Sequence, residues 1–149
     1  MYSMISTLSD KFTLKNFKLG YVKLSDGTSI ILRVAIVDIK PLQTSFGVEF
    51  NVVTVSGSSV NPSESVLNEI RDKPIIEPNK TPSDGWTLVN IVEKQSAYEE
   101  VEYLSNEKYI IRAEVEPLIV VKNTKYKSIQ EQPIYIVRSA RKISWKKVE

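Results

Sequence analysis

The residues of this chain best suited to binding chemistry are concentrated near its end. Residues 122–149 carry eight basic and two acidic side chains, a net charge of +6, whereas residues 61–121 carry six basic and twelve acidic ones, a net charge of −6. Basic side chains neutralise phosphates, and aromatic rings stack on unpaired bases. The sequence therefore predicts a nucleic-acid-binding surface that prefers single strands, formed by Lys122, Lys125, Tyr126, Lys127, Arg138, Arg141, Lys142, Trp145, Lys146 and Lys147.

A second interpretation makes the same residues structural. The basic end pairs with the acidic middle region of the same or a neighbouring chain, Tyr135 and Trp145 belong to the core, and lysines keep edge strands from aggregating. The protein is then an interaction or assembly subunit of a larger complex with no nucleic-acid contact. Its exposed strand edges and residues 73–84 would dock a protein partner or a second copy.

The composition excludes several kinds of enzyme. The chain has no histidine and no cysteine, so it lacks the usual general base, the usual zinc ligands and the thiol nucleophile. It also has no phosphate-binding loop or dinucleotide fingerprint. These absences exclude triad and zinc hydrolases, and we expect a non-enzymatic binding module without a cofactor.

Carboxylates are the remaining candidates for metal chemistry. Glu99, Glu100, Glu102 and Glu107 lie close together in sequence, and oxygen ligands of this kind hold Mg²⁺ or Ca²⁺. A solvated strand face with a charged hairpin tip explains the same spacing and is the interpretation we favour. The sequence therefore predicts no metal site.

Two further acidic residues interrupt apolar segments. Asp38 and Glu49 fall on strands that are otherwise apolar, where either could meet Arg33 or Arg112 inside the fold. A buried ion pair sometimes marks a functional site, but structural ion pairs are as typical, and a strand end accounts for Asp38 without burial.

These side chains must be positioned by β-strands. Residues 20–24 and 29–39 are apolar and β-branched, and Asp26-Gly27 between them predicts a tight hairpin. The second arm is apolar on both faces, which indicates cover on both sides by a second sheet or by barrel closure. We expect the core to contain Ile30, Leu32, Val34, Ile36, Phe50, Val52, Ile110 and Ile134.

The remaining elements follow from turn residues and periodicity. Pro41 is expected to end the long strand, and residues 56–59 to form a turn after the next one. One short helix is predicted near residues 62–72, with Asn61 as its cap, followed by an extended proline-rich connection over residues 73–84. Pro117 is expected to interrupt a later strand.

Together these elements predict a mostly-β single domain over residues 1–149. It is an antiparallel barrel or two-sheet sandwich of roughly eight to ten strands with one short helix. Residues 24–34 resemble residues 104–114, which raises the alternative of two pseudo-equivalent halves, residues 1–60 and 85–149, joined by the helix and the proline-rich crossover.

The sequence also bears on location. No segment approaches the roughly 20 apolar residues that span a bilayer, and the first residues lack the basic start and apolar run of a signal peptide. We therefore expect a cytoplasmic protein without a membrane partner.

Overall fold

The structure, a computed structural model, describes residues 12–149. This part of the chain forms nine strands in two antiparallel sheets and one short helix, and the sheets do not close into a barrel. The mostly-β sandwich is thus confirmed. Its elements are β1 (Phe12–Lys18), β2 (Gly20–Leu24), β3 (Ser29–Thr44), β4 (Gly47–Asn61), α1 (Glu64–Ile70), β5 (Trp86–Val89), β6 (Ile91–Gln95), β7 (Ala97–Leu104), β8 (Lys108–Asn123) and β9 (Tyr135–Lys147). No helix within residues 12–149 is long and apolar enough to cross a membrane.

Each sheet is built around one sixteen-residue strand. In sheet A, β9 pairs with β8 along nearly its whole length, while β7 and β5 share the other edge of β8 and β1 lies beyond β7. In sheet B the order is β4-β3-β2-β6. Each sheet therefore contains a short strand, the sixteen-residue strand and another long strand joined in sequence, although a duplication of the two halves stays a prediction.

Three links of a single residue carry the chain from one sheet to the other. β1 belongs to sheet A and β2 to sheet B, with only Leu19 between them. In the later part of the chain, β6 belongs to sheet B and lies in sequence between β5 and β7 of sheet A, with only Asn90 before it and only Ser96 after it. Because β1 pairs with β7 and β6 pairs with β2, each sheet is completed by a strand that the other part of the chain supplies.

The crossings at Leu19 and Ser96 touch each other at Gly20. A Cβ atom on this buried glycine would lie 2.5 Å from the backbone nitrogen of Ala97 and 2.7 Å from the carbonyl oxygen of Gln95. The side-chain amide of Gln95 also donates a 2.8 Å hydrogen bond to the carbonyl of Leu19. Only glycine permits this approach of the two backbones.

The core lies between the sheets and agrees closely with expectation. Seven of the eight predicted core residues are buried, six of them in the cluster between the sheets, whereas Ile110 is buried outside that cluster and Ile134 is half-buried. Phe50 is the centre of an aromatic cluster, since its ring lies 5.0–5.4 Å from the rings of Tyr103, Tyr109 and Trp145. Such tilted and edge-on contacts favour aromatic rings beyond their burial alone.

The first turn and the helix agree with the sequence in type but differ in detail. Gly27 has a φ of +87°, and its N–H donates a 3.0 Å hydrogen bond to the carbonyl of Leu24. Ser63, not Asn61, caps α1, because its hydroxyl accepts a hydrogen bond from the N–H of Val66. Asn61 is instead the last residue of β4, so the helix is shorter than predicted.

The predictions that two prolines end strands were wrong. Pro41 lies inside β3 and faces Phe50, and β2 pairs with β3 only at its beginning, so no neighbouring strand needs the missing N–H. Pro117 lies inside β8, between the end of the β7 ladder at Val115 and the start of the β5 ladder at Val120. Both prolines occupy gaps in pairing that the sequence does not reveal.

The predicted turn at residues 56–59 was also wrong. These residues continue β4 and pair with residues 31–34 of β3. Their small polar side chains suit a turn when considered locally, but the long partner strand extends the hairpin past them.

Substituting Gly20 tests the importance of the crossing. Gly20→Ala should lower the free energy of unfolding by about 3 kcal/mol, because the added Cβ meets backbone that cannot rotate away. Gly57→Ala is the matched control: its Cβ meets nothing within 4 Å, and it should be neutral or stabilising by about 0.5–1 kcal/mol. Urea unfolding of both variants measures the difference, and equal stabilities would contradict the proposed constraint.

Candidate functional site

The ten residues predicted to bind nucleic acid do not form one surface. Lys122 lies near the end of β8, Lys125, Tyr126 and Lys127 lie in the loop that follows, and the other six residues belong to β9. Along β9 the register places Arg141, Trp145 and Lys147 on the face of sheet A that looks toward sheet B, whereas Lys142 and Lys146 lie on the opposite face. The predicted set is therefore divided by the sheet itself.

Most of the basic side chains in this region contact a carboxylate. The pairs, with their nitrogen–oxygen distances, are Lys122–Asp26 (3.3 Å), Lys125–Asp84 (2.6 Å), Lys127–Glu131 (3.2 Å), Lys142–Glu116 (2.9 Å) and Lys147–Glu107 (2.9 Å). Three of these carboxylates belong to the acidic region of residues 61–121. Hydrogen bonds from Lys142 and Lys147 lower the pKa of Glu116 and Glu107 respectively. The acidic and basic regions thus pair within one chain.

Lys122 belongs to a partly buried network centred on Asp26. One carboxylate oxygen of Asp26 accepts hydrogen bonds from the Tyr135 hydroxyl at 2.6 Å and from Lys122 at 3.3 Å, and the other accepts the Thr28 N–H at 2.9 Å. Burial by itself raises the pKa of Asp26, but the three donors together outweigh it and the net pKa lies below the usual value. The network fastens the start of β9 to the β2–β3 turn.

Lys127 is buried and forms hydrogen bonds to the end of α1 and to the start of the proline-rich connection. Its ammonium group donates a 2.9 Å hydrogen bond to the carbonyl of Arg71, just after α1. Its backbone accepts from the N–H of Ile76 at 2.9 Å and donates to the carbonyl of Pro74 at 3.0 Å. These bonds hold residues 74–76 against the loop after β8, and Tyr126 beside them is half-buried. The predicted extended course was wrong beyond this point, because a turn at Glu77–Lys80, with Asn79 at a φ of +64°, interrupts it.

Trp145 and Arg141 also have structural contacts. The Trp145 ring packs edge-on against Phe50 and is only 37% exposed. The Arg141 guanidinium donates to the carbonyl oxygen of Val52 at 3.4 Å and to the hydroxyl of Thr54 at 3.1 Å, which joins β9 to β4. Within residues 12–149, only Arg138 and Lys146 of the eight basic side chains are exposed without a carboxylate or other hydrogen-bond partner.

The four glutamates considered for metal binding do not converge. Glu99 points inward, where one oxygen accepts the N–H of Ile36 at 2.8 Å and the other contacts Arg33 at 3.3 Å. It replaces a strand partner for β3, because β2 ends its pairing before Ile36. The others form separate pairs, Glu100–Arg112, Glu102–Lys108 and Glu107–Lys147. Across residues 12–149 no group of acidic side chains is arranged to hold a metal ion.

The ion pairs suggested for Asp38 and Glu49 are not formed among the described residues. Asp38 accepts a hydrogen bond from the N–H of Ile39, and Glu49 is exposed. Arg33 and Arg112 contact other glutamates instead. Neither acidic residue marks a site.

The most distinctive surface is the outer edge of β4, which the sequence analysis missed. Within residues 12–149, β4 pairs only with β3, so its other edge is unpaired. In an antiparallel strand the N–H and C=O of one residue point to the same side. Because the carbonyl of Val52 is bonded to Arg141 and not to β3, alternation places the backbone groups of Thr54, Ser56, Ser58 and Val60 on the unpaired side.

This edge carries no charge over a long stretch. Between Glu49 and Glu64 the sequence has no acidic or basic residue. Charged side chains are a common protection of edge strands, and the unpaired edges of β1, β6 and β9 all carry them, while β5, an edge strand without charge, has only four residues. The β4 edge lacks that protection, and its outward-facing Val53 and Val55 are 41% and 58% exposed.

A cleft separates the β4 edge from β9. It has a volume of about 210 Å³ and is lined by Ser56, Ser58, Val115, Val137 and Ser139, among others. Arg141 bridges the gap at Val52 and Thr54, and among residues 12–149 no hydrogen bond joins the two strands beyond Thr54. The outward backbone groups of Thr54, Ser56, Ser58 and Val60 therefore have no partner in the described part of the chain.

Comparisons with protein families, with curated proteins and with solved structures found no match for this chain.

Removing the Tyr135 hydroxyl tests the Asp26 network. Tyr135→Phe should lower the free energy of unfolding at pH 7 by about 1–3 kcal/mol, because Asp26 and Thr28 both lose its hydrogen bond. The pKa of Asp26 is lower in the folded than in the unfolded protein. The ionised carboxylate therefore contributes its full stabilisation above the unfolded pKa of about 3.9, and this contribution is lost as the pH falls through the folded pKa. Unfolding measured from pH 7 to pH 2 should show the difference between parent and variant narrowing in acid, and a constant difference would contradict the account.

Proposed function

We propose that this protein is a non-catalytic interaction module that binds an extended protein strand at the edge of β4. The observation that supports this function best is the combination of an unpaired edge and the absence of charge along it. A protein partner of this kind is extended and uncharged where it docks. The function corresponds to an assembly subunit of a larger complex.

The edge offers the backbone groups that strand addition requires. Thr54, Ser56, Ser58 and Val60 present N–H and C=O groups in the alternation of an antiparallel ladder. In recognition of this type, main-chain hydrogen bonds supply affinity and alternate side chains supply specificity. An added strand would place every second side chain over the cleft, where the serine-lined wall favours small residues.

Nucleic-acid binding through the C-terminal third is the second hypothesis. Arg138 and Lys146 favour it, because both are exposed and neither contacts a carboxylate among residues 12–149. Against it, phosphates would have to compete with the carboxylates that already pair with Lys125, Lys142 and Lys147.

A proline substitution tests strand addition. Ser58→Pro removes an N–H on the unpaired side of β4 and leaves the β3 ladder intact, so the fold should persist while strand binding is lost. Ser58→Thr is the matched control, since it keeps the N–H and should bind like the parent. Binding is measured by selecting uncharged peptides of roughly six to eight residues, the usual length of a strand, on immobilised protein. The proposal fails if no peptide distinguishes the proline variant from the parent.

A proline at the neighbouring residue tests whether the N–H of Ser58 is on the unpaired side. Gly57 is one residue earlier, and its N–H points to β3, so Gly57→Pro should lower the melting temperature clearly while Ser58→Pro does not. If both prolines destabilise equally, the assignment of the unpaired backbone groups is wrong.

Oligonucleotides test the second hypothesis. If Arg138 and Lys146 contact phosphates, Arg138→Glu with Lys146→Glu should weaken binding to all single strands alike and reduce the slope of log affinity against log salt by about one for each contact. The measurement is fluorescence anisotropy across a salt series. If the parent protein binds neither single strands nor duplexes at low salt, the nucleic-acid hypothesis is wrong.

A further inference from the structure

We infer that the strand added at the β4 edge is β4 of a second copy of this chain, paired antiparallel about a twofold axis at Gly57. This inference rests on the proposed function and narrows it to one partner. Two four-stranded B sheets would then join edge to edge into one continuous sheet.

The distribution of charge selects β4 for self-pairing. Two antiparallel copies of one strand bring identical residues near each other, and like charges directly opposite are destabilising. β9 carries five basic residues and β1 carries lysines without an acidic residue, so both would repel their own copies. β6 has only five residues, and β5, whose outer edge is also unpaired among residues 12–149, has only four. β4 is long, and residues 50–61 have no charge that opposes pairing with themselves.

The backbone of β4 selects the register. Arg141 occupies the carbonyl of Val52, so the unpaired groups available begin at Thr54 and end at Val60. Pairing Ser56 with Ser58 of the partner subunit, and Thr54 with Val60 of the partner subunit, uses all of them. The midpoint of this register is Gly57, and it provides about eight backbone hydrogen bonds, two for each directly bonded pair.

The side chains around the axis are compatible with a close approach. An added Cβ on Gly57 meets nothing within 4 Å, so the position on the axis is open in the single chain. Ser56 and Ser58 face the cleft, where small hydroxyl side chains of a second strand would also lie. On the other face, the exposed Val53 and Val55 would become part of a larger shared surface.

Opposite charges placed at the axis test the inference. Gly57→Lys and Gly57→Glu should both remain folded, because the site has space and its φ lies outside the left-handed region. The dimer that parent protein forms should become about fivefold weaker in each variant at low salt, since two like charges then face each other. An equal mixture of the two variants should dimerise at least as well as the parent.

The control and the measurement are matched to this design. Asn51→Lys adds the same charge on the same strand and the same face, but outside the paired segment, and should leave the dimer unchanged. Sedimentation equilibrium over a range of concentrations gives the association constant of each sample, and thermal melting shows that each variant is folded. Ser58→Pro should produce a monomer.

The outcomes separate this inference from the proposed function. A parent protein that stays monomeric at all concentrations overturns the self-pairing. If its edge still binds peptides that Ser58→Pro excludes, the interaction module stands with a different partner. A dimer insensitive to both Ser58→Pro and the Gly57 charges uses another surface, which also overturns the inference.

Discussion

The arrangement of the whole molecule depends on one close approach of two backbones. Gly20 and Ala97 begin β2 and β7, and the chain enters both strands from the opposite sheet after a link of a single residue. These links leave almost no freedom in where β1 and β6 can lie. The two sheets are therefore fastened together by covalent connections as well as by the apolar residues between them, and β1, β2, β6 and β7 all begin or end at this contact.

The sequence predicted what depends on local pattern. The hairpin at Asp26-Gly27, the apolar stripe of β3 and a short helix before the prolines follow from turn chemistry and periodicity, and the structure agrees. It did not predict the exchange of β1 and β6, because a strand's periodicity is the same in either sheet. The predictions for Pro41 and Pro117 were wrong for a related reason. Proline weakens a strand only where a neighbouring strand would accept the missing N–H, and distant segments of the chain determine where such a strand lies.

For the candidate site, too, the sequence predicted the local charge pattern but not which residues pair in the fold. The charge count correctly indicated polarity along the chain, and one of its two interpretations, pairing between the acidic and basic regions, is what the structure contains. The count could not assign partners, because Lys142 reaches Glu116 across a ladder and Lys122 reaches Asp26 across the sandwich. The β4 edge was missed because Ser56, Gly57 and Ser58 are typical turn residues whose strand conformation is imposed by β3.

The exchange of strands also affects how the protein emerges during synthesis. β2 pairs with β6, and β1 pairs with β7, at sequence separations from 67 residues, for Leu24 with Ile91, to 91 residues, for Phe12 with Tyr103. Contacts at such separations form late, since a long loop must close first. Until then the first half of the chain exposes both an apolar sheet face and the uncharged β4 edge. Exposed apolar faces and unpaired strand edges make an incomplete chain prone to aggregation.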